Sequence, residues 1–319
     1  MQTLARYKIR NWSDYNKALI QRGSITIWIE QEALKKWFSS YHTCQAGRPE
    51  TYSDDAILML LVLRETYKLT LRSLEGFVTS LFALMGLDLP IPSYTQISKR
   101  AQKLHKRVCR LVNGKKARHI IFDSTGLKVH GEGEWKVKVH GKSKRRTWRK
   151  FHIGIDAETQ EILCFELTGN NGGDAQMGEK MLKGFKKVKS VRGDGSYDSG
   201  RFRKKVHELG GSCIVPPPRD ATYKSSLDNS WERERDESVA VMNGVGDYEL
   251  GRRLWKILSG YHRRSLVETA MFRIKKMLGE GLKARHLEAQ KTEALCKCLV
   301  INKMNKLGMP KFEWVLEAA

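Results

Sequence analysis

In the first third of the chain, apolar residues recur at helical spacing. A polar start at Ser53, Asp54 and Asp55 opens the apolar run 56–63, which is how a capped helix begins. A second helical pattern covers 71–84. Pro90 and Pro92 break it, and Ser93 starts a basic helical segment that carries Gln96, Lys99, Arg100, Lys103 and Lys106. Short helices joined by tight polar turns predict a helical region over residues 1–118. Its basic last helix suits a helix-turn-helix-like DNA-binding region, and equally a plain helical bundle with a solvated basic face.

The pattern changes near His119. Residues 120–122 are a short apolar run rich in β-branched side chains, 148–155 alternate, and 162–167 follow a turn at Glu158, Thr159 and Gln160. Helical spacing over 174–185, a strand at 188–191, a helix at 199–209 and a strand at 213–215 stopped by Pro216, Pro217 and Pro218 complete the series. This order of strand, strand, strand, helix, strand, helix, strand predicts an α/β fold with a mixed sheet, the order of ribonuclease-H-like cores. The catalytic domain is expected over 119–319. It would contain a polar insertion around 219–250, read as loop and exposed helix start, and a helical tail at 293–307.

Composition narrows the function classes. The 319 residues carry 58 Lys+Arg against 35 Asp+Glu, a formal charge of +23. An excess of that size points to a polyanion, nucleic acid before an anionic membrane. The longest apolar stretch, 56–63, is far short of the roughly 20 residues that span a bilayer. No membrane role and no signal peptide are expected. The six cysteines form no Cys-x-x-Cys pair, so they read as reduced thiols of a cytoplasmic protein.

Two carboxylates stand where charge is costly. Asp123 directly follows the apolar run 120–122, which places it at or near the end of a buried strand, and Asp194 follows 188–191 in the same way. Adjoining strands would bring the two together, a repulsive arrangement unless a hard cation such as Mg²⁺ or Mn²⁺ lies between them. Asp198, in the same block as Asp194, is an alternative second carboxylate. Asp156 and Asp174 read rather as a turn residue and a helix cap. Tyr261, Arg264, Glu268 and Lys275, at spacings of 3, 4 and 7, fall within about 60° of one face of a single helix. Leu266, Val267, Ala270, Met271, Ile274 and Leu278 fill a different arc. Glu268 could complete a metal site, with Arg264 and Lys275 toward phosphate oxygens.

The string 260–271, with Arg273 and Lys275, resembles the Y-x2-R-x3-E-x6-K signature of DDE transposases from bacterial insertion sequences. The blocks 121–128 and 193–198 are similar to those that carry that family's two aspartates, and 10–16 and 142–149 to members of insertion-sequence family five. The resemblance implies a ribonuclease-H-like core with Asp123, Asp194 and Glu268 as catalytic and metal-binding triad, and Tyr261, Arg264 and Lys275 near the DNA ends. It implies two Mg²⁺ or Mn²⁺ ions per site, strand cleavage followed by joining of 3′-OH ends to target DNA, and no covalent protein–DNA intermediate. Expected partners are double-stranded terminal inverted repeats and target DNA, bound by a homodimer or larger assembly, in a bacterial, nucleoid-associated cytoplasmic setting.

Between the first two strands of the sheet, Lys136, Lys138, Lys142, Lys144, Arg145, Arg146, Arg149 and Lys150, with His140, lie in a stretch without an acid, flanked by Trp135 and Trp148. Such a stretch suits a hairpin that tracks phosphates, with a Trp stacking on an exposed base. Two competing readings remain. A repressor-type binding protein leaves the three carboxylates without purpose, and a structure-selective nuclease shares the chemistry but not strand transfer.

Overall fold

The computed structural model describes residues 5–40, 50–108, 111, 118–129, 148–169, 171–223 and 229–316. The chain divides into two compact units, residues 1–100 with 299–319 and residues 101–298.

The first unit holds β1 (Ala5–Ile9), α1 (Trp12–Gln21), α2 (Ile25–Trp28), α3 (Gln31–Lys35), α4 (Asp54–Thr66), α5 (Leu71–Leu84) and the start of α6 (Tyr94–Val108). The last strand, β8 (Phe312–Leu316), was not foreseen; it pairs antiparallel with β1. Helix α4 is the hub. Ser53 Oγ accepts from the Ala56 amide at 3.0 Å, and Asp54 and Asp55 complement the helix dipole. Ala56, Ile57, Leu60, Leu61 and Leu63 bury it on nearly every side. Helix α5 buries only the stripe Leu74, Val78 and Phe82. Gln96 and Ser93 form a capping box, with the Ser93 amide donating to Gln96 Oε1 at 2.9 Å. Arg100, one of the residues of the basic segment, is bound inward, to Asp54 Oδ1 at 2.5 Å and the Tyr52 carbonyl at 2.6 Å.

The second unit is a mixed α/β fold with a central sheet. Its elements are β2 (His119–Val129), β3 (Trp148–Asp156), β4 (Ile162–Thr168), α7 (Asp174–Leu182), β5 (Ser190–Arg192), α8 (Gly200–Glu208), β6 (Ser212–Ile214), α9 (Ser230–Asn243), α10 (Tyr248–Leu258), α11 (Ser265–Leu278), β7 (Gly281–Leu282) and the first part of α12 (Leu287–Leu307). The sheet runs β4-β3-β2-β5-β6, with β7 also on β2. The first three strands are antiparallel neighbours, while β5, β6 and β7 join in parallel. That order and direction are consistent with a ribonuclease-H-like core.

Alternate residues of each strand face opposite layers. One face carries Ile120, Phe122, Val191 and Cys213 and packs with Met181, Leu182, Phe202 and Val206 of α7 and α8. The other carries Ile121, Asp123, Ile153 and Arg192, and α11 packs on it through Val267, Ala270, Met271 and Ile274. Lys297 in α12 donates to the Leu278 carbonyl at 2.8 Å and so caps the end of α11.

The reading of 219–250 as loop and exposed helix start is corrected in part. Residues 230–243 and 248–258 are helical, with Val239, Met242 and Trp255 buried. The charge run near Trp231 is not wholly solvated: Glu234 accepts from the Cys213 amide at 3.0 Å, and Arg235 reaches Asp198. These partners lie far away in sequence, so the run reads as polar surface until the fold brings them to it. Among the described residues Cys164, Cys213, Cys296 and Cys298 are buried, and no helix is long and apolar enough to cross a membrane.

Candidate active site

A gap in the sheet makes the site. On one edge of β2, β3 pairs from Ile120 to Lys128. On the other, β5 covers 119–121 and β7 covers 128–129, which leaves 122–127 without a strand partner there among the described residues. Asp123 and Thr125 stand in that gap on the α11 face. The sequence reading put Asp123 at or near a strand end; instead β2 runs on to Val129 because β3 continues beside it, and what ends at residue 121 is the β5 neighbour.

Asp194 lies two residues beyond Arg192, where β5 ends. It is the N-cap of the 3₁₀ turn Gly195–Tyr197, its Oδ1 accepting from the Ser196 amide at 3.0 Å and from the Ser196 hydroxyl. Gly193 makes this turn possible. A β-carbon there would lie 2.7 Å from the Tyr197 ring, which packs on Phe122 and Phe202 in the core. Tyr197 is wholly buried, and burial pushes its phenol far above the ordinary range.

Asp198 is differently placed. Arg203 Nε donates to Oδ1 at 2.6 Å and Arg235 Nε to Oδ2 at 3.3 Å, and its side chain is 5% exposed. Arg203 also donates to the Cys213 and Val215 carbonyls, which ties the block to β6. Both oxygens of Asp198 are engaged in a structural network, whereas Asp194 is near enough to Asp123 to repel its charge.

The helix expected through Tyr261 and Lys275 is two pieces. Gly260, at φ 61°, turns the chain left-handed, Tyr261–Arg264 form a 3₁₀ turn, and α11 begins at Ser265. The break puts Arg264 at the mouth of α11. Its Nη1 donates to Asp123 Oδ2 at 2.9 Å, and its Nη2 bonds Glu268 Oε1. Two turns further on, Lys275 Nζ donates to Thr125 Oγ1 at 2.6 Å. Tyr261 packs its ring against Trp255, the centroids 5.2 Å apart.

The electrostatics place all three carboxylates around Arg264. Burial raises the Asp123 pKa; the Ser124 amide and Arg264 oppose this, while Asp194 and Glu268 add like-charge repulsion. Burial works against the charge of Arg264, but Tyr261, Asp123, Glu268 and Asp194 together hold its pKa above the ordinary value. Burial likewise raises the Tyr261 pKa. Among the described residues no group of three His, Cys, Asp or Glu side chains is closed around one ion position. Two of the three acids are instead gathered by a guanidinium.

Sequence reasoning missed a polar network behind Asp123. His152, wholly buried, lies 3.2 Å from Asp174 Oδ1, and Lys150 Nζ donates to Asp174 Oδ2 at 2.7 Å. Burial disfavours the Asp174 charge, but His152, Lys150 and Ser124 outweigh it and hold the carboxyl well below the usual range. Asp174 is not the expected cap: the N-cap of α7 is Gly173. Asp156 does act in its turn, accepting from the Glu158 and Thr159 amides at 2.8 and 3.2 Å. The register Ser124 opposite His152 links this network to the residue after Asp123.

Of the basic stretch, Lys142, Lys144, Arg145 and Arg146 lie outside the described residues. Arg149 Nε donates to Gln290 Oε1 at 2.8 Å, and Trp148 lies over Gly126 with Lys128 Nζ 5.8 Å from its ring centroid.

A mixed sheet of this order with flanking helices, and an acidic cluster where its central strand loses a neighbour, is consistent with a ribonuclease-H-like α/β core. Two family models, each described as a transposase DDE domain, match residues 114–303 and 20–132. The chain belongs to the transposase DDE domain family, whose general activity is DNA cleavage and strand transfer. Similar solved structures include a piggyBac transposase synaptic complex with hairpin DNA, at 11% identity over 92% of this chain and 77% of that one, with a TM-score of 0.40. The strand transfer complex of the Drosophila P element transposase is 15% identical over 58% of this chain and 46% of that one, at a TM-score of 0.28. A pre-cleavage Mos1 transpososome is 11% identical over 82% and 80%, at 0.21.

Proposed function

We propose that this protein is the transposase of a bacterial insertion sequence of the family-five type, which cleaves DNA at the terminal inverted repeats and joins the 3′-OH ends to target DNA. The observation that carries the reading is Arg264 bonded to both Asp123 and Glu268, with Asp194 within electrostatic range of Arg264 and Asp123. Residues separated by 71 and 74 positions in the chain converge on one cation.

The donor set fits a hard divalent ion. Asp123, Asp194 and Glu268 offer only carboxylate oxygens, and the single positive charge of Arg264, shared by two of them, leaves the three acids net negative. These three would hold Mg²⁺ or Mn²⁺, two ions per site, which activate the attacking oxygen and neutralise the leaving one when bound. Arg264 and Lys275 would then meet phosphate oxygens, and Tyr261, braced by Trp255, would stand beside them. Water attacks in the first step and a freed 3′-hydroxyl in the second, so no protein nucleophile is needed; the burial of Tyr197 supports this.

The helical first unit would supply end binding in a helix-turn-helix-like manner, and the Lys142, Lys144, Arg145, Arg146 and Arg149 stretch would track phosphates. Pairing two ends calls for at least a dimer on DNA, acting in the bacterial cytoplasm at the nucleoid. The test is incubation of the full chain with duplexes from the DNA flanking its reading frame, and with a plasmid target. Mg²⁺-dependent nicking and end joining are expected, and both should vanish in Asp123→Asn, Asp194→Asn and Glu268→Gln. Nicking without joining of pre-nicked ends would make it a nuclease instead. DNA binding without any cleavage would leave a repressor-type protein.

A further inference from the structure

A second charged group on the α11 face has no place in the reading above. Arg192 ends β5 opposite Ile121 and is 7% exposed. Its Nη1 donates to Ser190 Oγ at 2.8 Å, and the same hydroxyl lies 2.8 Å from His119 Nδ1. Nε is buried without an acceptor, and no acceptor meets Nη2 among the described residues. Among the described residues no carboxylate pairs with it. The charged group that bears on it is another cation, Arg263, held by the Ala157 carbonyl at 3.1 Å. The left-handed turn at Gly260 runs past the Arg192 guanidinium, since a β-carbon there would lie 3.8 Å from Arg192 Nη2. The nearby acid, Glu158, is mostly exposed and lies 4.0 Å from His119 Nε2 on the outer side.

A buried guanidinium with spare donors and a like-charged neighbour is a strongly unfavourable arrangement by itself. An anion removes both faults at once, because a tetrahedral oxyanion accepts from a guanidinium fork. We propose that Arg192, with Arg263 and His119 beside it, forms a second anion site that takes one phosphate oxyanion next to the carboxylate site. The turn 260–264 also carries Tyr261 and Arg264, so an anion held here braces the segment that presents Arg264 to Asp123. The source of the phosphate is either the DNA backbone or free phosphate, and the two share the same chemistry.

The test uses the full chain without metal and follows the thermal unfolding midpoint as inorganic phosphate is raised at constant ionic strength. The wild-type midpoint should rise with phosphate. Arg192→Met, which removes the buried charge, should unfold above wild type in phosphate-free buffer and show no response. Arg263→Gln should need about tenfold more phosphate for the same shift, and it decides the matter if Arg192→Met fails to fold. Asp123→Asn should respond as wild type does. A wild-type chain that ignores phosphate, or an Arg263→Gln variant that responds like wild type, overturns the proposal. In a parallel titration with duplex DNA, a salt slope smaller by about one in Arg263→Gln identifies the DNA backbone as the source, and an unchanged slope identifies free phosphate. Neither readout involves cleavage, so a failed nicking assay and a failed phosphate response are separate results.

Discussion

Arg264 Nη1 lies 2.9 Å from Asp123 Oδ2, so a residue of the 3₁₀ turn before α11 is bonded to the middle of β2, 141 positions away in the chain. The pair is mostly shielded, with side-chain exposures of 21% and 14%. A double-mutant cycle with Arg264→Gln and Asp123→Asn, read by urea unfolding without metal, should give a coupling of about 1–2 kcal/mol. Additive single effects would mean that the contact contributes nothing in solution.

Asp198 and Asp194 should behave oppositely on substitution. Asp198→Asn leaves the buried Arg203 without its carboxylate and removes one of the two carboxylate partners of Arg235, which keeps Asp236, and should cost about 3–5 kcal/mol of stability. Asp194→Asn, at an exposed cap, should cost about 1 kcal/mol or less while it removes cleavage. Chemical denaturation of both variants beside a nicking assay checks this, and the reverse pattern would make Asp198 the functional carboxylate.

The Asp174 network should show in acid stability. Its folded pKa is depressed, so the contribution of the carboxylate is fully present above the ordinary value near 4 and is lost as the pH falls through the lower, folded value. The stability difference between wild type and Asp174→Asn should therefore be constant around neutrality and shrink below about pH 4. A difference that is constant down to acid unfolding would remove the His152 and Lys150 pairing from the account.

Gly193→Ala should be costly despite the small change. The new β-carbon meets the Tyr197 ring at 2.7 Å, and the ring is locked between Phe122 and Phe202. Overpacking of this kind costs about 1–3 kcal/mol. Because the shift falls on the residue before Asp194, cleavage should drop by more than the stability loss explains, measured well below the unfolding midpoint.

Lys275→Gln should weaken binding of duplex DNA about equally across sequences and reduce the salt slope by about one, while stability changes little once Thr125 is left facing an amide. Filter binding over a salt series measures both. An unchanged slope would make Lys275 a purely internal partner of Thr125.

Much of the fold was legible because it rests on local periodicity. The helix at 71–84 matches α5 at both ends, and the capped start at Ser53 is the N-cap of α4. The strands at 148–155 and 162–167 fall within one residue of β3 and β4. The failures share one cause, which is partners distant in sequence. The extension of β2 past Asp123 depends on β3 beside it, the pairing of β1 with β8 joins the chain's ends, and the helices in 230–258 are anchored by Val239, Met242 and Trp255.

At the site, the chain alone proposed the acids and their basic companions, because residue type and spacing are local properties. It left Asp194 and Asp198 as alternatives, and treated Asp174 as a cap and Arg192 as nothing in particular. The surroundings of those four were set by tertiary structure: whether a charged side chain is paired, buried or open depends on which strands and helices surround it, and that environment is assembled from segments far apart in the sequence.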